Sequence, residues 1–212
     1  MDYKKTFIEL AIKKNALKFG SFKLKSERIS PYFFNSGVFS DGKSLSIISN
    51  LFLDLIEDKN ISFTNIFGPA YKGIPLASVL SSYMATEKNV DSNFIYDRKD
   101  QKLHGEKGDI VGSFLEGNTL IVDDVITAGT AIKNTLEKLK KYNVTTNSLI
   151  VLLDRQEVGS SNMSASQELK KDYGIDVFSL INISDIINYV TNTKEFENFR
   201  DDIVEYKKKY SL

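Results

Sequence analysis

TLIVDDVITAGTA, residues 119–131, is the stretch that decides the fold. Thr119 to Val122 is a short apolar run with no polar alternation, which reads as a strand buried on both faces, as in a parallel sheet. It ends in two adjacent carboxylates, Asp123 and Asp124. Thr127, Gly129 and Thr130 follow, and then Ile132, Thr135, Leu136 and Leu139 recur at helical spacing. A buried strand, a short loop of small residues and a helix start together make an anion site. Small side chains let backbone N–H groups approach the anion, and the helix N-terminus adds partial positive charge. The carboxylates beside such a loop suit hydroxyls or a metal.

Outward from this stretch, strands and helices alternate. Ser148 to Leu153 is another buried run, ending at Asp154-Arg155, and Ile61 to Phe67 reads as a strand closed by Gly68-Pro69. Asn93 to Tyr96 and residues 175–181 read as further strands. Leu45, Ile48, Leu51, Phe52, Leu55 and Ile56 predict a helix over 44–59, with Ser44 as its cap. Further helices are expected near 73–86, 164–173 and 184–191, and a last one carries Phe196, Phe199, Ile203 and Tyr206. At the other end, Phe7, Leu10, Ala11 and Leu17 predict a helix stopped by Gly20, and residues 22–39 should be extended, with Pro31 as a helix breaker. The pattern argues an α/β fold with a mainly parallel central sheet flanked by helices. Ligands of such sheets bind outside the carboxyl ends of the strands. Four segments should meet there: Gly68 to Gly73, Asp97 to Gly112, Asp123 to Ala131, and Asp154-Arg155. In DRKDQKLHGEKGD, residues 97–109, eight of thirteen residues are charged and two are glycine, which predicts a mobile surface loop.

Composition narrows the chemistry. The 212 residues carry 28 Lys and Arg against 28 Asp and Glu, so the broad basic field of a non-specific nucleic-acid binder is missing. With no cysteine, thiol nucleophiles, disulfides and cysteine-based metal sites are excluded, and a single histidine, His104, excludes a histidine-rich metal site. The amino end has no apolar signal-peptide core and no run of about 18 apolar residues occurs, so the expected compartment is the cytoplasm, with no membrane partner. Only Arg28, Arg98, Arg155 and Arg200 are arginines. In so lysine-rich a chain each is a candidate for bidentate anion recognition, which lysine cannot provide. Gly37 to Ser44 matches the phosphate-loop pattern G-x-x-x-x-G-K-[ST]. The preceding PYFFNS lacks the branched aliphatic strand such a loop follows, and a nucleoside-triphosphate reading leaves the TAGT loop unexplained.

VDDVITAGTA resembles the phosphoribosyl-pyrophosphate (PRPP) motif of the type I phosphoribosyltransferases. Within them, FKLKSERISPYFFNSG, FGPAYKGIPLA, DRKDQKLHGEKGDIVGS, LIVDDVITAGTAI and LLDRQE resemble the bacterial homodimeric orotate phosphoribosyltransferase family. Glu27 departs from that pattern, which usually has a small residue there, often glycine. The resemblance implies one type I phosphoribosyltransferase domain over 1–212, with a small N-terminal hood over about 1–40 and a mobile catalytic loop over about 97–112. It implies transfer of 5-phosphoribose from PRPP to N1 of orotate, giving orotidine 5′-monophosphate and pyrophosphate, in de novo pyrimidine synthesis.

The residue roles also come from the resemblance. Lys25, Tyr71 and Lys72 would face the pyrophosphate, with a non-proline cis peptide expected at Ala70–Tyr71. Asp123 and Asp124 would bond the ribose hydroxyls, near a magnesium ion held mainly by substrate oxygens. Val125, Ile126, Thr127, Ala128, Gly129, Thr130 and Ala131 would wrap the 5′-phosphate. Phe33, Phe34, Thr127 and Arg155 would hold orotate. Arg98, Lys99, Lys102 and His104 would complete the neutralisation of the leaving group, with Lys99, Lys102 and His104 reaching across a dimer interface into the partner's site. Lys72, Lys99, Lys102, His104 and Asp124 would be the catalytic set. Two alternatives stay open: a PRPP-dependent enzyme for another base, and a non-catalytic regulator on the same fold.

Overall fold

The computed structural model describes residues 2–24, 27–102, 108–114, 116–159 and 162–211, the side chains of 99–102 and 108 apart. In chain order the elements are α1 (Tyr3–Lys13), β1 (Leu17–Lys23), β2 (Ile29–Phe34), α2 (Gly42–Asp58), β3 (Asn65–Gly68), α3 (Gly73–Lys88), β4 (Asn93–Lys102), β5 (Gly108–Val111), β6 (Asn118–Ile126), α4 (Thr130–Lys140), β7 (Thr145–Asp154), α5 (Ala165–Tyr173), β8 (Asp176–Asn182), α6 (Ile183–Thr191) and α7 (Arg200–Tyr210).

Six strands form the central sheet in the order β5-β4-β3-β6-β7-β8. All neighbours are parallel except β5, which returns antiparallel to β4. Alternate residues of the parallel strands feed opposite faces, as the two-residue period requires. Ile66, Leu120, Val122, Ile150 and Leu152 join one core with α1, α2, α3, α6 and α7, whereas Phe67, Ile121, Leu149 and Val151 join another with α4 and α5. The chain runs outward from β3 to β4, then starts again on the other side of β3 with β6. That reversal places a switch point between β3 and β6, where a crevice opens at the carboxyl ends of both strands.

Strands β1 and β2 form a separate antiparallel hairpin. It is carried on the first core by Leu17 and Tyr32, both fully buried. Its outer edge stacks on the far end of the chain, with the Phe19 ring 5.3 Å from Phe196 and 5.4 Å from Phe199.

Several boundaries differ from the sequence expectation. The first helix ends at Lys13, with Lys14 as its cap. Leu17 and Gly20 belong to β1, where Gly20 adopts φ +148°, a conformation strained for any side chain. Helix α2 is capped by Asp41, not Ser44: Asp41 accepts the Ser44 N–H at 3.0 Å and its hydroxyl at 2.7 Å. The Asp41 carboxylate therefore occupies the anion position of the phosphate-loop look-alike, and Lys14, at 2.7 Å, holds its pKa well below the usual range. Residues 97–102 continue β4 and 108–111 pair back as β5, in the segment read from sequence as a mobile surface loop. Asp123 and Asp124 lie within β6, which runs on to Ile126. The last helix begins only at Arg200, after a single 3-10 turn at Glu197–Phe199.

Candidate active site

The loop between β3 and α3 is shaped by close backbone approach. A Cβ on Gly68 would meet the Gly73 carbonyl oxygen at 2.5 Å, and one on Gly73 would meet the Val122 carbonyl oxygen at 2.5 Å. Both positions therefore need glycine, and the loop lies directly on β6. The Ala70–Tyr71 peptide is cis, and Tyr71 stands 63% exposed. Asp97, buried at the end of the parallel part of β4, accepts the Ala70 N–H at 2.6 Å and pairs with Lys138 of α4 at 2.5 Å. One carboxylate thus ties this loop to the helix behind the next one. Lys138 also donates to the Arg98 carbonyl at 3.3 Å.

Asp123 and Asp124 stand side by side on β6. Asp123 accepts the Asp124 N–H at 2.9 Å, and Asp124 accepts the Val125 N–H at 2.8 Å. The other Asp124 oxygen accepts the Ser36 hydroxyl at 2.5 Å, and that hydroxyl accepts from Lys72 at 3.4 Å. Gly37 makes room for this lysine, since a Cβ there would lie 2.5 Å from Nζ. Burial, and then the Asp124 charge, push the Asp123 carboxyl up to about 7. Among the described residues no group of three or more acidic or histidine side chains could cage a metal ion. The donor set here, two carboxylates whose oxygens also serve hydrogen bonds, fits magnesium, which keeps much of its shell on water or substrate oxygens.

Past β6, Thr127, Ala128, Thr130 and Ala131 are exposed and Gly129 is buried at φ +73°. No side chain caps the N-terminus of α4. Its first N–H groups are therefore available to an anion. The loop rests on α5, where a Cβ on Gly129 would lie just 3.0 Å from the Ala165 Cβ. Helix α5 is fixed in turn by a reciprocal cap between Ser164 and Gln167.

Facing this side across the crevice is a cavity of about 430 Å³, lined by Leu24, Phe33, Phe34, Asp124, Val125, Thr127 and Arg155. All four residues expected to hold a planar base line it, brought together from β2, the end of β6 and the end of β7. Phe33 is 39% exposed and packs on Phe22 at 5.5 Å, whereas Phe34 leans into the core against Phe7 at 6.2 Å. Arg155 is 5% exposed. Its Nε donates to Glu157 at 2.6 Å, its Nη2 donates to Ser30 at 3.1 Å and to Tyr206 at 3.4 Å, and its guanidinium carbon sits 4.3 Å from the centre of the Tyr32 ring. Next to it, Asp154 takes the Gln156 N–H and the Ser166 hydroxyl, and burial raises its pKa.

Lys25 and His104 lie outside the described residues, as do the side chains of Lys99 and Lys102. Sequence reasoning passed over Ser36, Asp97, Glu157 and Tyr206. A signal existed for Asp97, a carboxylate where a strand ends. None existed for Tyr206, which sequence reasoning read only as part of an apolar stripe.

Glu27 takes φ +64°, a left-handed backbone that favours glycine, and pairs with Lys23. Its departure from the family pattern therefore falls at a position with a backbone reason for a small residue.

Residues 38–191 match the model of the phosphoribosyl transferase domain. A protein of Photorhabdus laumondii described as orotate phosphoribosyltransferase is 45% identical over 210 residues, 99% of each chain. One of Proteus mirabilis with the same description is 42% identical over 99% of this chain and 98% of its own. The crystal structure of orotate phosphoribosyltransferase from Francisella tularensis superposes with a TM-score of 0.87 at 37% identity, over 98% of this chain and 100% of that one.

Proposed function

The chain belongs to the phosphoribosyl transferase family and is an orotate phosphoribosyltransferase, a pentosyltransferase, and from that premise we propose how its crevice carries out the transfer. The observation that carries the proposal is the cavity at the carboxyl end of the sheet, where Phe33, Phe34, Thr127 and Arg155 line one space with Asp124. Orotate lies between the aromatic side chains and Arg155, which meets its carboxylate as a planar fork. PRPP lies across the switch point. Its 5′-phosphate sits on Thr127–Ala131 at the uncapped start of α4, its ribose hydroxyls on Asp123 and Asp124, and its pyrophosphate along Tyr71 and Lys72, with Lys25 nearby.

N1 of orotate attacks C1′ of the ribose with inversion, and the C1′–pyrophosphate oxygen bond breaks. Orotate loses its N1 proton readily, so the protein's task is alignment and charge neutralisation, and no strong base is needed. The hydrogen-bonded row Lys72–Ser36–Asp124 supports this: it sets a cation toward the leaving group and a carboxylate toward the sugar. When bound, magnesium supplies neutralisation of the pyrophosphate charge, held mainly through substrate oxygens with Asp123 and Asp124 close by.

The 97–112 segment is read as a covering loop that brings Arg98, Lys99, Lys102 and His104 over the leaving group and excludes water. By family resemblance Lys99, Lys102 and His104 do so in the partner's site of a homodimer, and the compartment proposed is the cytoplasm. Mixing a Lys102→Ala subunit with an Asp124→Ala subunit tests the shared site: recovered activity supports it, and no recovery removes it. For the reaction itself, the protein is incubated with PRPP, magnesium and a panel of bases while orotate absorbance is followed. Orotate is expected to be consumed. Turnover of a different base with orotate untouched would overturn the assignment.

A further inference from the structure

Arg155 does not stand alone at the cavity wall. Glu157, 4% exposed, accepts from Arg155 Nε at 2.6 Å and from the Tyr206 hydroxyl at 2.8 Å on one carboxylate oxygen, and from Arg28 at 3.2 Å on the other. The Tyr206 oxygen accepts in turn from Arg155 Nη2 at 3.4 Å. The guanidinium is therefore held on two of its nitrogens and stacked over Tyr32. Nη1 is the guanidinium nitrogen that donates to no other described residue.

The clamp reaches further along the last helix. The Val158 N–H donates to the Tyr210 carbonyl at 2.8 Å, Glu157 bridges to Ser211, and Arg28 lies over the Tyr210 ring at 4.8 Å. Glu157 thus pairs with two guanidiniums, Arg155 and Arg28, one on each carboxylate oxygen. Buried charges that are held by fixed partners lose little on meeting a ligand, because no reorganisation is left to perform.

We propose that Glu157 and Tyr206 are positioning residues for orotate: together they fix the Arg155 guanidinium with Nη1 left for the substrate carboxylate, so the C-terminal helix α7 helps determine which base is accepted. This rests on the reading of Arg155 as the orotate-binding arginine. The arrangement joins three segments far apart in sequence, Ser30 in the hairpin, Arg155–Glu157 after β7 and Tyr206 in α7, around one ligand-facing group.

The test uses the full chain with Tyr206→Phe, Glu157→Gln and Arg155→Ala. For each, kcat and KM are measured for orotate and for PRPP separately, together with turnover of uracil, which lacks the carboxylate. Thermal melting reports folding. Tyr206→Phe keeps the ring packed against Tyr32 and Tyr210 and is expected to fold, so the test does not depend on Glu157→Gln alone. Expected are a rise in orotate KM of about fivefold for Tyr206→Phe and about tenfold or more for Glu157→Gln, with PRPP KM within about twofold. The preference for orotate over uracil should fall by a similar factor, since uracil has no group for Arg155 to meet. Equal rises in both KM values, or an unchanged orotate KM in Tyr206→Phe and Glu157→Gln while Arg155→Ala raises it, overturn the inference and leave the role of Arg155 standing. An unchanged orotate KM in Arg155→Ala overturns that role and the inference with it.

Discussion

The two walls of the crevice are built by different means. The wall proposed for the polyanion is made of backbone: Gly68 and Gly73 pressed onto β6, Gly129 in a left-handed turn, and the open start of α4. Its charges are left in tension, with Asp123 beside Asp124 and pushed up to about 7. The wall proposed for the base is made of side chains. Arg155, Glu157, Tyr206 and Ser30 form one buried hydrogen-bonded network, joined at its edge by the half-buried Arg28, with Arg155 Nη1 left over. A phosphate is met by many equivalent N–H groups, so backbone shape suffices. A particular ring with a particular carboxylate needs a fork held at one angle. The contrast is between a wall strained until its ligand arrives and a wall finished beforehand.

The largest effect should show that strain. Between about pH 4 and pH 7 the native state keeps the Asp123 proton and the unfolded chain has lost it, so stability falls as pH rises through that window and levels off above it. Asp123→Asn removes the ionisation. Its stability relative to the parent chain should improve by up to about 4 kcal/mol between pH 4 and pH 8, while PRPP turnover drops sharply. Denaturant unfolding at both pH values checks this, and a gap that does not change with pH would erase the difference between the walls. Next, Gly73→Ala places a methyl group 2.5 Å from the Val122 carbonyl and 2.6 Å from Pro69. A cost of about 3 kcal/mol is expected, with PRPP KM moving more than orotate KM. Equal movement would mean that the loop serves both walls.

Asp97→Ala should cost about 2 kcal/mol, because the Ala70 N–H and Lys138 lose a buried partner, and PRPP KM should rise with it. Urea titration and initial rates read both effects, and an unaltered PRPP KM would show that the loop holds its shape without that carboxylate. The smallest effect belongs to Ser164→Ala. Loss of the reciprocal cap on α5 should cost about 1 kcal/mol, with only a slight change in turnover, since α5 backs the phosphate loop from behind. A large loss of activity in that variant would mean that the loop depends on α5 far more than the packing of Ala165 on Gly129 suggests.

Legibility in the sequence followed the same division. The run at 119–131 displays strand, carboxylates, small-residue loop and helix in thirteen consecutive residues, because backbone-built sites are local in sequence. The hydrophobic periods of the parallel strands likewise placed β6, β7 and β8 well. What stayed hidden depends on distance. Ser36 meets Asp124 across 88 residues, and Tyr206 meets Glu157 across 49; no local pattern marks either pair. Local competition misled in two other places. Gly20 looked like a helix stop because glycine ends helices, yet its φ serves an irregularity of the hairpin, where the β1–β2 register shifts between Phe19 and Phe22. Residues 97–102 read as part of a mobile loop because they are charged and almost without apolar side chains, yet they continue β4, with Asp97 and Lys102 paired to Ile110 and Gly108 of β5.

The stacking of Phe19 on Phe196 and Phe199 has a consequence for the order in which the molecule is assembled. A ribosome delivers the hairpin among the first residues and its seat among the last. A growing chain that has released α4 already carries β3, β6 and the loops that follow them. The hairpin at that moment still lacks Arg155, Glu157, Tyr206 and the two phenylalanines it rests on. A domain generally folds as a unit, and here the earliest strands cannot take their seat until the late segments exist. The contacts that seat the hairpin and hold Arg155 in place therefore form only after residues 196–206 have been made.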